Sequence, residues 1–134
     1  MELHDLSAVR ALSAQLGYVV TEDELRARFL RLRNERGLFV CIVEDALAGW
    51  IDVHERWLLE APPHGELGGL VVDERMRRRG VGRALVMRAI AWTRSRGLSL
   101  LRLRSNVARD AAHAFYPALG FARIRTSHVY EISC

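Results

Sequence analysis

The chain contains no lysine, because all twenty of its basic residues are arginine. It has only two cysteines and three prolines, and nowhere do apolar residues run to the ~18 or more that a membrane span requires. Each shortage excludes something. Cys41, in "LFVCIVE", and Cys134, at the end of the chain, make neither a CxxC metal motif nor a disulfide framework, so no metal and a reducing compartment are expected. The scarcity of proline and the lack of any low-complexity tract exclude a collagen-like or disordered chain. The first ten residues, "MELHDLSAVR", carry acid where a secretory signal carries base and have no apolar core. The expectation is a cytoplasmic protein that does not engage a membrane.

What is present suits one packed core. The 134 residues are half hydrophobic with a net charge of +4, and nothing in "EAPPHGE" (60–66) or elsewhere is long enough to act as a linker, so residues 1–134 are expected to form a single domain. Leu6, Val9, Leu12 and Leu16 recur at helical spacing in 5–17, and Gly17 offers a stop. A second helix is expected over 21–36. It opens with "TEDE", a Thr cap with Glu24 three places on, and sets Leu25, Phe29 and Leu32 against arginines. Residues 37–45 and 47–57 are rich in β-formers across a short polar turn and predict an antiparallel hairpin. Residues 64–74 predict a third strand, in which Gly68 and Gly69 mark a bulge or a close approach. Then come a helix over 80–96 ended by Gly97, a strand over 98–105, a short helix over 106–120, and one or two strands in "FARIRTSHVYEIS". The order predicts an α/β chain with a mixed sheet and helices on its faces.

The chemistry concentrates in "RMRRRGVGRAL" (75–85), where arginines crowd a Gly-Val-Gly at the start of a helix. A helix N-terminus leaves backbone N–H groups unpaired under a partial positive charge, and glycine lets a ligand come close. Arg77, Arg78, Arg79 and Arg83 add forked donors suited to phosphate oxygens, so the turn predicts a diphosphate or phosphorylated nucleotide. Two known phosphate loops do not fit. A dinucleotide fingerprint needs a glycine where Leu85 stands, and a P-loop needs Lys-Ser/Thr after the glycine where Arg83-Ala84 stand. A nucleic-acid binder would use the same basic patch and the pI of 9.8. No helix carries a basic stripe with interleaved aromatics, so nucleic acid is not the expected partner.

What does fit is Arg-x-x-Gly-x-Gly, Arg77 to Gly82, directly after "ELGGLVVD". With "LRLRSN" and "AAHAFYPALGF" following in order, residues 64–121 resemble the GNAT superfamily of N-acetyltransferases, and the arginine-glycine turn resembles its acyl-CoA-binding motif. The resemblance implies the GNAT fold, a mixed, mostly antiparallel sheet with helices on both faces. That fold usually begins with a strand before its first helix, for which only "MELH" remains here, so the strand is expected to be very short or missing.

The resemblance also assigns roles. It implies acetyl-CoA as co-substrate, its pantetheine arm pairing along Leu70, Val71 and Val72 like an added strand. Its diphosphate would be held by Arg77, Arg78, Arg79 and Arg83 and the amides of Arg78 to Arg83, Gly80, Val81 and Gly82 included. Asn106 is either an ordinary helix cap or a pantetheine contact, and His113 is placed near the cofactor but outside the chemistry. Tyr116 matches a tyrosine that protonates the departing thiolate, although Pro117 beside it predicts a kink or an end to the helix. Glu66 matches a catalytic base, acting directly or through water, with His64, His54 or solvent as the alternatives. The acceptor implied is a primary amine on a small molecule, attacked directly in a ternary complex. A protein N-terminus and a catalytically inactive CoA-binding module are the alternatives, and a homodimer is expected. Trp50, Asp52, His54 and Trp57 suggest an aromatic and acidic acceptor pocket, with core packing as the other reading of Trp50. A chain without lysine also offers an acyl donor no side-chain amine to modify.

Overall fold

A computed structural model describes residues 1–106 and 108–134. They form two compact units, Met1–Arg104 and Ser105–Cys134. In the first, helix α1 (Leu6–Gln15) and helix α2 (Glu22–Leu32) precede strands β1 (Gly37–Val43), β2 (Ala46–Arg56) and β3 (His64–Val72), helix α3 (Val81–Ser95) and strand β4 (Leu101–Arg102). The sheet order is β1-β2-β3-β4, antiparallel across the first two pairs and parallel across the last, so it is mixed and mostly antiparallel.

Local sequence accounts for these elements. Thr21 and Glu24 form a reciprocal capping box at α2, the Thr21 hydroxyl accepting from Glu24 N–H at 3.2 Å and the Glu24 carboxylate from Thr21 N–H at 2.9 Å. The β1–β2 hairpin closes on Glu44 and Asp45, both at positive φ (50° and 63°), the geometry that lets a two-residue loop follow the twist of its strands. No strand precedes α1. Residues Leu3–Asp5 form a short 3-10 turn, and the Met1 ammonium donates to Leu38 O on β1 at 3.0 Å.

The core lies between the sheet and α3. Val81, Leu85, Val86 and Ala89 of α3 are buried, as are Ile51 and Val53 of β2, while Leu6, Val9 and Leu12 bury one side of α1. Side chains of β2 alternate between the two faces. A Cβ placed on Gly49 would meet Leu85 and Val81 at 3.0 Å, and one on Gly65 would meet Thr93 Oγ1 at 2.5 Å, so those positions face α3. The other face carries Arg36, just past the end of α2. There a Cβ on Gly68 would lie 2.5 Å from Asp52 Oδ2 and 3.3 Å from Arg36 Nη1.

Three expectations need correction. The strand expected over 98–105 pairs only at Leu101 and Arg102, opposite Gly65 and Glu66. The parallel ladder, weaker per residue than an antiparallel one, is not kept beyond that point. In the second unit the helix expected over 106–120 is α4 (Asp110–Ala118). Asn106 lies outside it, with its side chain accepting from Ala108 N–H at 2.9 Å, and the helix opens at Asp110. No strand forms in 121–134. Ile124, Val129, Tyr130 and Ile132 supply β-forming character but stay exposed, since a strand exists only where a neighbouring edge completes its ladder.

Candidate active site

β3 leads into the arginine-rich turn. Asp73 N–H donates to Ala48 O at 2.8 Å and extends the β2–β3 ladder by one residue. The Asp73 carboxylate then accepts from Arg75 N–H at 3.0 Å and from the Arg75 guanidinium at 3.1 Å, which folds Glu74–Met76 into a 3-10 turn. Arg75 is thereby spent on structure. Arg78 and Gly80 both take the left-handed conformation, with φ of 63° and 77°. Gly80 is the N-cap of α3, no side chain caps that end, and Ala84 N–H is bonded to Gly80 O at 3.0 Å. The N–H groups of Val81, Gly82 and Arg83 thus come before the helical ladder begins.

A Cβ on Gly80 would meet nothing within 4 Å, so this cradle opens outward. Arg77, Arg78, Arg79 and Arg83 are exposed around it, and Arg79 also reaches Glu44 at 3.5 Å. Unpaired amides, the positive end of a 15-residue helix and four exposed guanidinium groups make an anion cradle that fits a diphosphate.

The outer edge of β3 is mostly unpaired. Its parallel ladder with β4 ends at Glu66, so among the described residues Leu70, Val71 and Val72 have no ladder partner on that side. Backbone donors and acceptors are left there for an extended group to pair with, in the manner of an added strand. From Glu66 to Val72 the edge measures about 20 Å at the usual rise of a strand.

Glu66 lies at the paired end of that edge, 7% exposed. Its Oε2 accepts from Arg56 Nη1 at 2.7 Å and lies 3.8 Å from His54 Nε2, while Oε1 lies 3.4 Å from Arg104 Nε. Burial alone would raise its pKa. The hydrogen bond and charge of Arg56, then Arg104 and His54, outweigh that and hold the carboxyl below its ordinary value, so Glu66 is ionised at neutral pH. His54, its cross-strand partner in register, is pushed below its ordinary value by burial first and Arg36 second, against Asp52 and Glu66, and is therefore neutral. His64 is buried, with Nδ1 3.2 Å from Pro62 O.

Trp50, Asp52 and His54 share the face of β2 turned away from α3. The β2–β3 register skips Gly68, which is the predicted bulge, and what approaches closely there are side chains: Asp52 over Gly68, and Trp50 over Gly69, where a Cβ would lie 2.8 Å from the indole. Trp57 does not belong to this row. It falls beyond the end of β2 and out of its alternation, is 69% exposed, and donates Nε1–H to Glu55 at 2.8 Å.

In the second unit Asn106 does not cap α4, whose N-cap is Arg109. His113 is exposed, with Nε2 3.3 Å from Asn106 O. Tyr116 is half-buried between Phe115 and Phe121, whose ring centroids lie 5.2 and 5.8 Å away in edge-on contact. Burial raises its pKa, against nearby Arg109, so the phenol is protonated at neutral pH. Pro117 does not displace Tyr116 from the helix, which ends one residue later at Ala118.

Sequence reasoning missed Arg36, Arg56 and Arg104. A usable signal was present for Arg56, which continues the period of two set by Trp50, Asp52 and His54 and so falls on the face of its neighbour strand's Glu66. For Arg36 and Arg104, outside regular elements, no spacing rule applies.

Comparison with known proteins follows the same line. The model of the Acetyltransferase (GNAT) family matches residues 6–121. The chain is 42% identical over 106 residues to an aminoglycoside N(6')-acetyltransferase type 1 of Stenotrophomonas maltophilia, covering 75% of this chain and 69% of that protein. It is 35% identical over 97 residues to a mycothiol acetyltransferase of Thermobispora bispora, covering 71% and 33%. It is 33% identical over 96 residues to an uncharacterized N-acetyltransferase of Methanocaldococcus jannaschii, covering 70% and 42%. Against these last two the chain spans well under half of the relative's length. Among solved structures, an aminoglycoside 6'-N-acetyltransferase in complex with a CoA-linked acetylneamine bisubstrate analogue shares the fold with a TM-score of 0.87 at 20% identity, covering 100% of this chain and 95% of that one.

Proposed function

The chain belongs to the GNAT acetyltransferase family, and from that premise we propose that it transfers an acetyl group from acetyl-CoA directly to a primary amine of a small molecule. The observation that carries this reading is the uncapped start of α3, ringed by Arg77, Arg78, Arg79 and Arg83, at the end of a β3 edge left unpaired toward Glu66. The cradle takes the diphosphate of CoA, the amides of Val81, Gly82 and Arg83 donating and Gly80 leaving room for it. The pantetheine arm lies along Leu70, Val71 and Val72, and the ~20 Å of strand back to Glu66 suits an extended arm that delivers its thioester beside that carboxylate.

Bound acetyl-CoA supplies an activated acyl group and a thiolate leaving group. The chain supplies proton handling. An acceptor amine is protonated at neutral pH and attacks only after losing a proton, which the ionised Glu66 takes through water. Tyr116, a neutral phenol, returns a proton to the departing thiolate. Asn106 and His113 contact the cofactor without entering the chemistry. No covalent step is needed: Cys41 and Cys134 are both free thiols, which also suits a cytoplasmic setting. Small-molecule acceptors are favoured over a protein N-terminus because relatives named for aminoglycoside and for mycothiol acetylation both match over 70% or more of this chain. A homodimer belongs to the same reading.

Release of free thiol from acetyl-CoA across a panel of primary amines tests the proposal. At least one amine is expected to support turnover, and Glu66→Gln is expected to lower kcat for it about 100-fold with little change in the KM for acetyl-CoA. Tyr116→Phe is expected to act in the same direction, and Gly80→Val to raise the KM for acetyl-CoA instead, because valine is strained at positive φ. Absence of any thermal stabilisation by acetyl-CoA, together with no thiol release from any amine, would overturn the reading.

A further inference from the structure

β1 stands at the end of the sheet, with β2 on one side and, among the described residues, no strand on the other. Which of its backbone groups face outward follows from β2. Ala48 O accepts from Asp73 N–H on the β3 side, so by alternation Gly49 and Ile51 turn their groups toward β1, where they stand opposite Cys41 and Phe39. Leu38, Val40 and Ile42 therefore turn theirs away from the sheet. The Met1 ammonium already donates to Leu38 O at 3.0 Å, and among the described residues Val40 and Ile42 have no backbone partner there.

An open row of N–H and C=O groups is a template for another strand, and proteins commonly blunt such edges with charge, proline or a bulge. β1 has none of these defences. Its seven residues, Gly37–Val43, carry no charge and no proline, and the irregularity between Cys41 and Ile42 spends its extra residue, Ala48, on β2. Ile42 is 53% exposed. The other free edge, beside Leu70, Val71 and Val72, has an occupant in the proposed pantetheine arm, and β1 lies at the far end of the sheet from it.

We infer that the outer edge of β1 pairs antiparallel with β1 of a second copy, about a two-fold axis at Cys41. A two-fold interface requires a surface that complements itself, and an open antiparallel edge does so. With Leu38 O taken by Met1, the groups of Val40 and Ile42 remain, and the register that uses both sets Val40 of each copy opposite Ile42 of the other. Each such pair exchanges two hydrogen bonds, and Cys41 meets its own counterpart between them as a non-hydrogen-bonded pair. Leu38 then faces Glu44 of the second copy, an exposed carboxylate brought beside the Met1 ammonium, so the ends of the paired strands are oppositely charged. Cys41 is a free thiol, half-buried beside a cavity of about 310 Å³ bounded by Phe39, Leu85 and Arg88. The pairing gives the expected homodimer a surface and does not rest on the acetyl-transfer chemistry.

Sedimentation equilibrium and oxidative cross-linking test this on the intact chain carrying Cys134→Ser. A concentration-dependent dimer is expected, with a Kd on the order of 10 μM because the ladder is short. Val40→Pro removes an outward N–H and no β1–β2 bond, and Ile42→Glu sets a charge on the edge. Each is expected to raise that Kd about tenfold or more. Copper phenanthroline is expected to link Cys41 to its counterpart, since opposed non-hydrogen-bonded residues stand about 4.5 Å apart at Cα. A monomer at every concentration overturns the inference, as does a dimer that neither variant weakens or one in which Cys41 does not cross-link. Ile42→Glu alters an exposed side chain alone, so it decides the matter if proline disturbs the strand. Thermal stabilisation by acetyl-CoA, measured on the same samples, reports separately on the transfer reading.

Discussion

On the α3 side of β2, Ile51 and Val53 are 0% exposed, and Gly49 leaves its space to Leu85 and Val81. On the opposite side of the same strand, Trp50, Asp52 and His54 are half-buried and hold polar atoms without partners. The two faces differ by one residue of register, so a single strand carries both the fold's driving force and the polar groups that weaken it. Burial of apolar surface stabilises the first face in proportion to area, whereas the second keeps polar groups away from water without satisfying them. The polar row thus stands one residue of register from fully buried Ile51 and Val53, and itself adds little stability.

Breaking the dry face should produce the largest effect. Ile51→Ala is expected to cost about 2–5 kcal/mol in urea denaturation, because a fully buried branched side chain leaves a cavity that α3 cannot collapse into. Asp52→Asn, one residue away, removes only the partly exposed pair with Arg36 and should cost well under half as much. Equal losses from the two substitutions would erase the distinction between the faces.

The polar face should announce itself through pH. The folded pKa of His54 lies below its unfolded value of about 6.5, so the unfolded chain takes up the proton first and stability falls as pH drops from about 6.5 toward the folded value. Glu66 adds a second loss at lower pH. Its folded pKa is also depressed, so its contribution is present above the ordinary glutamate value of about 4.3 and disappears as pH falls through the folded one. His54→Gln should flatten the stability curve below pH 6.5 and leave the lower limb in place, an effect smaller than the Ile51 truncation. A variant whose curve parallels the unsubstituted chain throughout would show that His54 is not desolvated by this face.

The parts of this arrangement legible in the sequence are those governed by neighbours a few residues apart. The Thr21–Glu24 box, the hairpin of β1 and β2, the bulge at Gly68 and the helix opening at the Gly80–Gly82 turn each follow from local chemistry, and each is present. The parts that were not legible depend on a distant partner. Residues 98–105 and 121–134 have β-forming composition, yet a strand is completed by an edge supplied from elsewhere, and only Leu101–Arg102 finds one. Glu66 was recognisable from its motif, but Arg56 and Arg104, which set its charge state, come from another strand and from the stretch after β4. Alternation correctly grouped Trp50, Asp52 and His54, and extending the group to Trp57 broke the period of two.

That broken period supports the smallest effect. Trp57 has the residue type expected of an aromatic acceptor pocket, but it lies past the end of β2, is 69% exposed, and is tied through its indole N–H to Glu55, whose other oxygen is held by Arg96. Glu55 falls on the α3 side of the strand's alternation, so this contact draws Trp57 away from the row that holds the orphaned atoms. Trp57→Ala should therefore change stability by less than about 0.5 kcal/mol in urea denaturation, whereas Trp50→Ala, which empties the space over Gly69, should cost severalfold more. If instead the two tryptophans cost alike, stability follows aromatic surface and not the facing of β2, and the boundary of the polar face must be redrawn past Arg56.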